Sequence, residues 1–196
     1  MKAQSSLKYL FVSETRRKLI DTFFYFPKDM FYVRELVRKI DEEINSVRHE
    51  LENLKNAGLI NSEWRGNRLY YSANTQAPIF NDLLVLAHKT AGLGLALQEK
   101  KEKLGSIKLF ICSYGFLTGI QKTDSIDFII VGDVSINEVD SLIKAEEKLL
   151  GREINYMVMD RSELQIRKSK RDPFIIDFFL NCPIVIIGSS EIIGQN

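Results

Sequence analysis

"INSVRHELENLKNAGLINSEWRGNRLYYSAN", residues Ile44–Asn74, carries two periodicities that meet at one glycine. Ile44, Val47, Leu51 and Leu54 recur three or four residues apart, which predicts a helix with one buried face. Ala57-Gly58 ends it, because glycine enters the left-handed cap without steric cost. Beyond it, "LINSEW" and "RLYYSA" flank the turn "RGN", which predicts a β-hairpin with a Gly-Asn tip. What precedes this helix and hairpin decides which fold they belong to.

Upstream, "SETRRKLIDTFFYF" (Ser13–Phe26) opens on a serine cap and places Leu19, Ile20, Phe23 and Phe24 at helical spacing. Pro27-Lys28-Asp29 stops that helix. Phe31–Val33 is short, aromatic and β-branched, which suits one short strand. Val33, Leu36, Val37 and Ile40 mark a second amphipathic helix, and Asp41-Glu42-Glu43 makes the turn into the third. Helix, strand, helix, turn, helix, hairpin is the order of a winged helix-turn-helix.

On "FVSETRRKLID", "FYVRELVRKI", "INSVRHELENLKNAGLI" and "WRGNRLYYSAN", residues 1–76 resemble the winged-helix domain of ArsR- and MarR-like transcriptional regulators. The resemblance implies binding of double-stranded DNA, with the third helix in the major groove and the wing over the backbone. The residues themselves suit that role. With the apolar positions buried, Asn45, Ser46, Arg48, His49 and Glu52 occupy the remaining faces of the third helix, the short polar groups, Arg48 and His49 within reach of base edges or phosphates. Arg65, Asn67 and Arg68 crowd the wing tip, where a hairpin can touch phosphate. Residues 1–76 hold 13 Lys/Arg against 10 Asp/Glu, and residues 77–196 hold 14 against 16, so the positive excess sits in the first part. Glu42, Glu43 and Glu50 predict modest non-specific affinity, and Trp64 is expected to pack at the base of the wing. The competing expectation is a solvated surface on a winged helix that binds protein.

Residues 77–104 form an apolar connecting segment, expected as one long helix opened by Pro78. A helix apolar around so much of its girth must be covered. A second copy would cover it in a homodimer reading two half-sites; its own C-terminal domain would also serve. Gly92 and Gly94 predict a kink or break, each costing about 1 kcal/mol in a helix interior. The charge run Gln98–Lys103 is the expected domain boundary.

From residue 105 the pattern becomes β-α-β: strands in "IKLFICSYG", "SIDFIIVGD", "EINYMVMD" and "IVIIG", with helices in "INEVDSLIKAEEKLLG" and "DPFIIDFFLNC". "IRKSKR" (Ile166–Arg171) is expected as a solvated basic loop. On "LFICSYGFLTG", "DSIDFIIVGDV", "LLGREINYMVMDRSEL", "RDPFIIDFF" and "IVIIG", nearly all of residues 107–188 resembles the minimal nucleotidyltransferase domains of the polymerase-β-like superfamily, which gives the second domain as residues 105–196. Active members carry a Gly-Ser turn for the triphosphate, an Asp-x-Asp pair on the second strand and a carboxylate on the third, to hold two Mg²⁺ ions. Here the turn falls either on Cys112-Ser113, with one extra loop residue, or ungapped on Ser113-Tyr114, with Gly115 and Gly119 following in the loop. The pair falls on Ser125 and Asp127, and the third position on Asn155. A lone carboxylate does not hold two divalent ions. Alternation along the strand also turns Asp124 away from Asp127. The resemblance therefore implies a vestigial nucleotide and metal site with no cofactor and no catalytic residue. Asp127 is left to cap its strand or pair with a cation. The second domain is then a packing module or a sensor for a small-molecule or nucleotide effector. The rival is an active nucleotidyltransferase or antitoxin-like enzyme that modifies a protein or small molecule.

The whole reads as α+β: winged helix-turn-helix, long connecting helix, and α/β nucleotidyltransferase-like domain. With 45% hydrophobic and 27% charged residues the chain can bury a core. Nothing approaches the ~20 uninterrupted apolar residues of a membrane span. The N-terminal apolar segment is too short for a secretory signal. Cys112 and Cys182 are expected as reduced core residues of a cytoplasmic protein. Two cysteines and the distant His49 and His88 cannot build a zinc cluster.

Overall fold

The hydroxyl of Ser13 accepts the Arg16 N–H at 3.1 Å and opens the first helix, α1 (Glu14–Tyr25). The computed structural model describes residues 11–120 and 125–194. The first ten residues, which hold most of the N-terminal apolar segment, and Asp124 lie outside the described residues. The chain divides into two compact units, residues 1–90 and 91–196.

In the first unit β1 (Phe31–Tyr32), α2 (Val33–Ile40), α3 (Ile44–Asn56), β2 (Ile60–Arg65), β3 (Arg68–Ala73) and α4 (Phe80–Thr90) follow α1. Asp41 takes the left-handed conformation, φ 50°, which turns α2 sharply into α3. Gly58, at φ +70°, does the same after α3. The strands pair antiparallel in the order β1-β3-β2. Phe31 stands opposite Tyr71, and Arg65 opposite Arg68 across the hairpin tip. Leu19, Phe23, Phe24, Leu36, Val47 and Leu51 are fully buried between these elements. Trp64 departs from expectation: it is 71% exposed. β1 reaches only Tyr70 and Tyr71 on the neighbouring strand, so the outer hairpin, where Trp64 faces Leu69, runs beyond the third strand.

The connecting segment is three helices rather than one long one: α4, α5 (Gly92–Glu99) and α6 (Lys101–Leu104). The break falls at Ala91-Gly92, where Ala91 is extended and Gly92 sits at φ +53°. The division between units falls there too, and not in the charge run. α4 packs on α1, leaving Leu84 with no exposed surface. α5 packs on a helix of the second unit, with Leu93 and Leu97 buried. The apolar girth is thus divided between the two units, which bury Leu84, Leu93 and Leu97 and leave Val85, Leu86, Leu95 and Ala96 half-buried.

The second unit continues with β4 (Gly105–Cys112), α7 (Tyr114–Leu117), β5 (Phe128–Val134), α8 (Ile136–Leu150), β6 (Tyr156–Met159), α9 (Arg161–Ser169), α10 (Pro173–Leu180), β7 (Ile184–Gly188) and α11 (Glu191–Gly194). Its sheet has the order β6-β5-β4-β7; β5 and β6 are parallel, the other pairs antiparallel. Leu109, Ile111, Ile129 and Val131 form one core cluster with Leu164, Ile175 and Phe178 of the helices. Phe110 and Ile130, on the alternate side, are also buried, so both faces of the sheet are covered.

Two expectations are corrected here. Ile166–Ser169 of the basic run close helix α9, where Arg167 pairs with Glu163 at 2.7 Å and Asp172 at 2.9 Å. Arg167 and Lys168 lie in the last turn of α9, where cationic residues complement the helix dipole. Of the two free cysteines, Cys112 is buried but Cys182 is exposed, at φ 50° in the turn that follows α10. No helix among the described residues is long and apolar enough to cross a membrane.

Candidate nucleic-acid interface

Glu43 caps α3: its carboxylate accepts the N–H groups of Asn45 at 2.8 Å and Ser46 at 3.0 Å. Glu50, buried on the inner side of α3, pairs with Arg16 at 2.8 Å. Glu42 accepts from Lys18 at 2.7 Å and Thr15 at 3.0 Å. Of the three carboxylates expected to weaken anion binding, Glu50 is buried and Glu42 half-buried in their pairings, while Glu43 stays exposed as the cap of α3. Burial raises the Glu50 carboxyl, but hydrogen bonds from Arg16, Ser13 and Asn53 outweigh it, leaving the group below its ordinary range.

The outer side of α3 presents Asn45, Ser46, Arg48 and His49 together with Glu52, all exposed. His49 Nδ1 lies 3.3 Å from Asn53 Nδ2. At the wing, Gly66 takes φ +60° with open space around it, and Arg65, Asn67 and Arg68 are exposed. Arg65 is tied to Glu63 by a short ion pair.

Arg48, Asn67 and Arg68 come together. With Arg34 and Arg38 of α2 they line a cleft of about 540 Å³ between the helices and the wing, closed by Tyr32, Val33 and Leu69. Four arginines belong to its walls, and among the described residues no Asp or Glu does. Tyr32 organises two of them: Arg68 lies over its ring at 4.9 Å, and Arg38 Nη2 donates to its hydroxyl at 3.2 Å. A cationic concavity with low-dielectric walls concentrates potential and favours an anion spanning it. Asn45, Ser46, His49 and Arg65 lie outside the cleft walls.

Arg34 and Arg38 were not read from the sequence as site residues. Their signal was the i, i+4 spacing in "VRELVRKI", which sets both guanidiniums on the side of α2 away from buried Leu36 and Ile40.

The residues expected at a nucleotide site occupy the second unit. Ser113 caps α7 by accepting the Phe116 N–H at 3.1 Å, and its own N–H donates to the Asp127 carbonyl at 2.7 Å. Asp127 N–H donates to the Asn155 carbonyl at 2.7 Å, and Asn155 N–H donates to Asp127 Oδ2 at 3.0 Å. The Asp127 carboxylate is buried and grasped by Arg152. Backbone contacts thus join Ser113, Asp127 and Asn155, whereas Ser125 and Gly115 line a separate cavity with Ser113. Arg152, three residues before Asn155, was not singled out in the sequence. Among the described residues no group of three or more His, Cys, Asp or Glu side chains converges as a metal set. No family model, curated protein or solved structure matches this chain.

Proposed function

We propose that the chain is a DNA-binding transcriptional regulator, with a winged helix-turn-helix in its first unit and a catalytically silent nucleotidyltransferase-like domain in its second. The observation that carries it is the cleft whose walls hold Arg34, Arg38, Arg48 and Arg68 and, among the described residues, no Asp or Glu. Bridging phosphates would neutralise that charge and release counterions. Arg48, on the outer side of α3, is the residue closest to a base-reading role, with Asn45, Ser46 and His49 beside it. A homodimer reading two half-sites would draw on the half-buried Val85, Leu86 and Leu95, since Leu84, Leu93 and Leu97 are already buried within their own units.

Silence of the second unit rests on Asp127, whose two oxygens are engaged by Arg152 and the Asn155 N–H. The test is duplex binding by the full chain, followed by fluorescence anisotropy across a salt series. The reading predicts binding that weakens steeply with salt. Salt-insensitive binding, or none to any duplex, overturns it in favour of a protein-binding winged helix. Transfer of label from a nucleotide, abolished by Asp127→Ala, would establish the enzyme reading instead.

A further inference from the structure

Arg34, Arg38, Arg48 and Arg68 belong to the walls of one cleft of about 540 Å³ in the first unit. None of the four pairs with an Asp or Glu among the described residues, whereas Arg16, Arg17, Arg65, Arg152 and Arg167 each do. Glu52, one turn along α3 from Arg48, and Glu35, beside Arg34 on α2, lie outside the walls. Two of the arginines are positioned by Tyr32: Arg38 donates to its hydroxyl at 3.2 Å, and Arg68 covers its ring at 4.9 Å. Such preorganisation lowers the cost of ordering long side chains on binding.

The cleft holds more charge than a duplex strand brings to so small a space. Taking the cube root of about 540 Å³ makes it roughly 8 Å across, and a strand carries one charge per ~3.4 Å of duplex axis, about two or three over that span. A triphosphate chain is denser. Free of metal it carries about four charges at neutral pH, two of them on its terminal group. Guanidinium forks match phosphate oxygens bidentately, and the cleft lies within the ~300–1,000 Å³ of pockets that take small ligands. Without a carboxylate among its described walls to hold Mg²⁺, contact is made by the arginines and not through a metal.

We infer that this cleft binds the triphosphate chain of a free nucleotide or of inorganic polyphosphate, recognising the phosphates and not the base. Its regulatory consequence rests on the reading of the same cleft as a duplex-binding surface: chain and duplex exclude each other there.

Calorimetric titration of the full chain at neutral pH, fixed ionic strength and without Mg²⁺ tests it with inorganic tripolyphosphate, ATP, GTP and AMP. The first three should bind alike, one per chain, and AMP about tenfold or more weakly, as the loss of a charge-assisted contact requires. Excess Mg²⁺ should weaken ATP severalfold, because the metal neutralises phosphate charge. Arg34→Ala and Arg38→Ala, at exposed positions and checked for unchanged unfolding midpoints, should each weaken tripolyphosphate about tenfold. Lys148→Ala, exposed on the second unit, should not. In anisotropy at the same ionic strength, tripolyphosphate should release labelled duplex over the range in which it binds the free chain. The inference is overturned if no triphosphate binds, if AMP binds as tightly, or if ATP and GTP bind far more tightly than tripolyphosphate. Strengthening by Mg²⁺, unchanged affinity in both arginine variants, or simultaneous binding of duplex and tripolyphosphate also overturns it. A chain that binds duplex and no triphosphate loses this site alone; one that binds triphosphate at these arginines and no duplex keeps the site and loses the regulator reading.

Discussion

Arg152 holds the Asp127 carboxylate through both of its terminal nitrogens, Nη1 to Oδ2 at 2.9 Å and Nη2 to Oδ1 at 3.2 Å. Both side chains are largely withdrawn from solvent, 15% and 8% exposed. Removing one partner from such a pair leaves an uncompensated buried charge. Arg152→Ala should therefore destabilise the protein by about 3–5 kcal/mol, whereas the double change Arg152→Met/Asp127→Asn should recover much of that loss. Denaturant unfolding measures both, and an Arg152→Ala variant as stable as wild type would show the pair to be inert.

The cationic cleft separates the roles of its arginines. Arg48→Ala should cost about 1–3 kcal/mol at a specific site and relax base preference there. Arg34→Ala and Arg68→Ala should weaken all duplexes alike, each flattening the salt slope by about one unit. Arg65→Ala should do less, because Glu63 already pairs with Arg65. Anisotropy on specific and random duplexes distinguishes these patterns; equal losses for Arg65 and Arg68 would contradict the assignment.

Trp64 is the chain's single tryptophan and stands 71% exposed on the wing. Its emission should report solvent in the free protein and change when duplex is added. Trp64→Ala should alter unfolding free energy by less than about 0.5 kcal/mol, as for other exposed side chains. Emission indifferent to bound DNA would take the wing tip out of the interface.

Leu84 has no exposed surface within the first unit. Leu84→Ala should cost about 2–5 kcal/mol of stability, the range for a buried leucine, without changing the sedimentation coefficient of the folded protein. Dissociation of a wild-type dimer by this substitution, with stability unchanged, would place Leu84 at an interface between copies.

The Tyr156 hydroxyl donates to Asp140 Oδ1 at 2.6 Å. That hydrogen bond, then burial and the charges of Asp140 and Glu147, push its pKa up to about 12 from the ordinary 10. The raised folded value favours the neutral phenol, so its stabilising contribution is complete below about pH 10 and is lost as pH rises toward 12. Tyrosinate absorbance should show Tyr156 ionising late, beside Tyr71, which burial also raises, and Asp140→Asn should bring Tyr156 alone back toward its ordinary value. A titration unaffected by Asp140→Asn would separate the two groups.

Local pattern was enough for most elements. The spacing of Val47, Leu51 and Leu54, the cap at Ser13 and the glycine after α3 act within one or two turns of backbone, so their consequences are legible in the chain. Side-chain partnerships were not, because they join residues distant in sequence. Glu50 meets Arg16 across 34 positions and Asp127 meets Arg152 across 25, and no periodicity encodes either. The same limit hid the cleft: "VRELVRKI" shows two outward arginines, but only the packing of α2 against α3 and the wing brings them opposite Arg68. Trp64 was misjudged because its burial depends on how far the neighbouring strand extends. The connecting segment was misjudged because one apolar run can satisfy two cores, once Ala91 and Gly92 turn its halves toward different partners. Local chemistry set where the chain coils and extends; packing between distant segments set which charges are neutralised inside the fold and which are left facing solvent together.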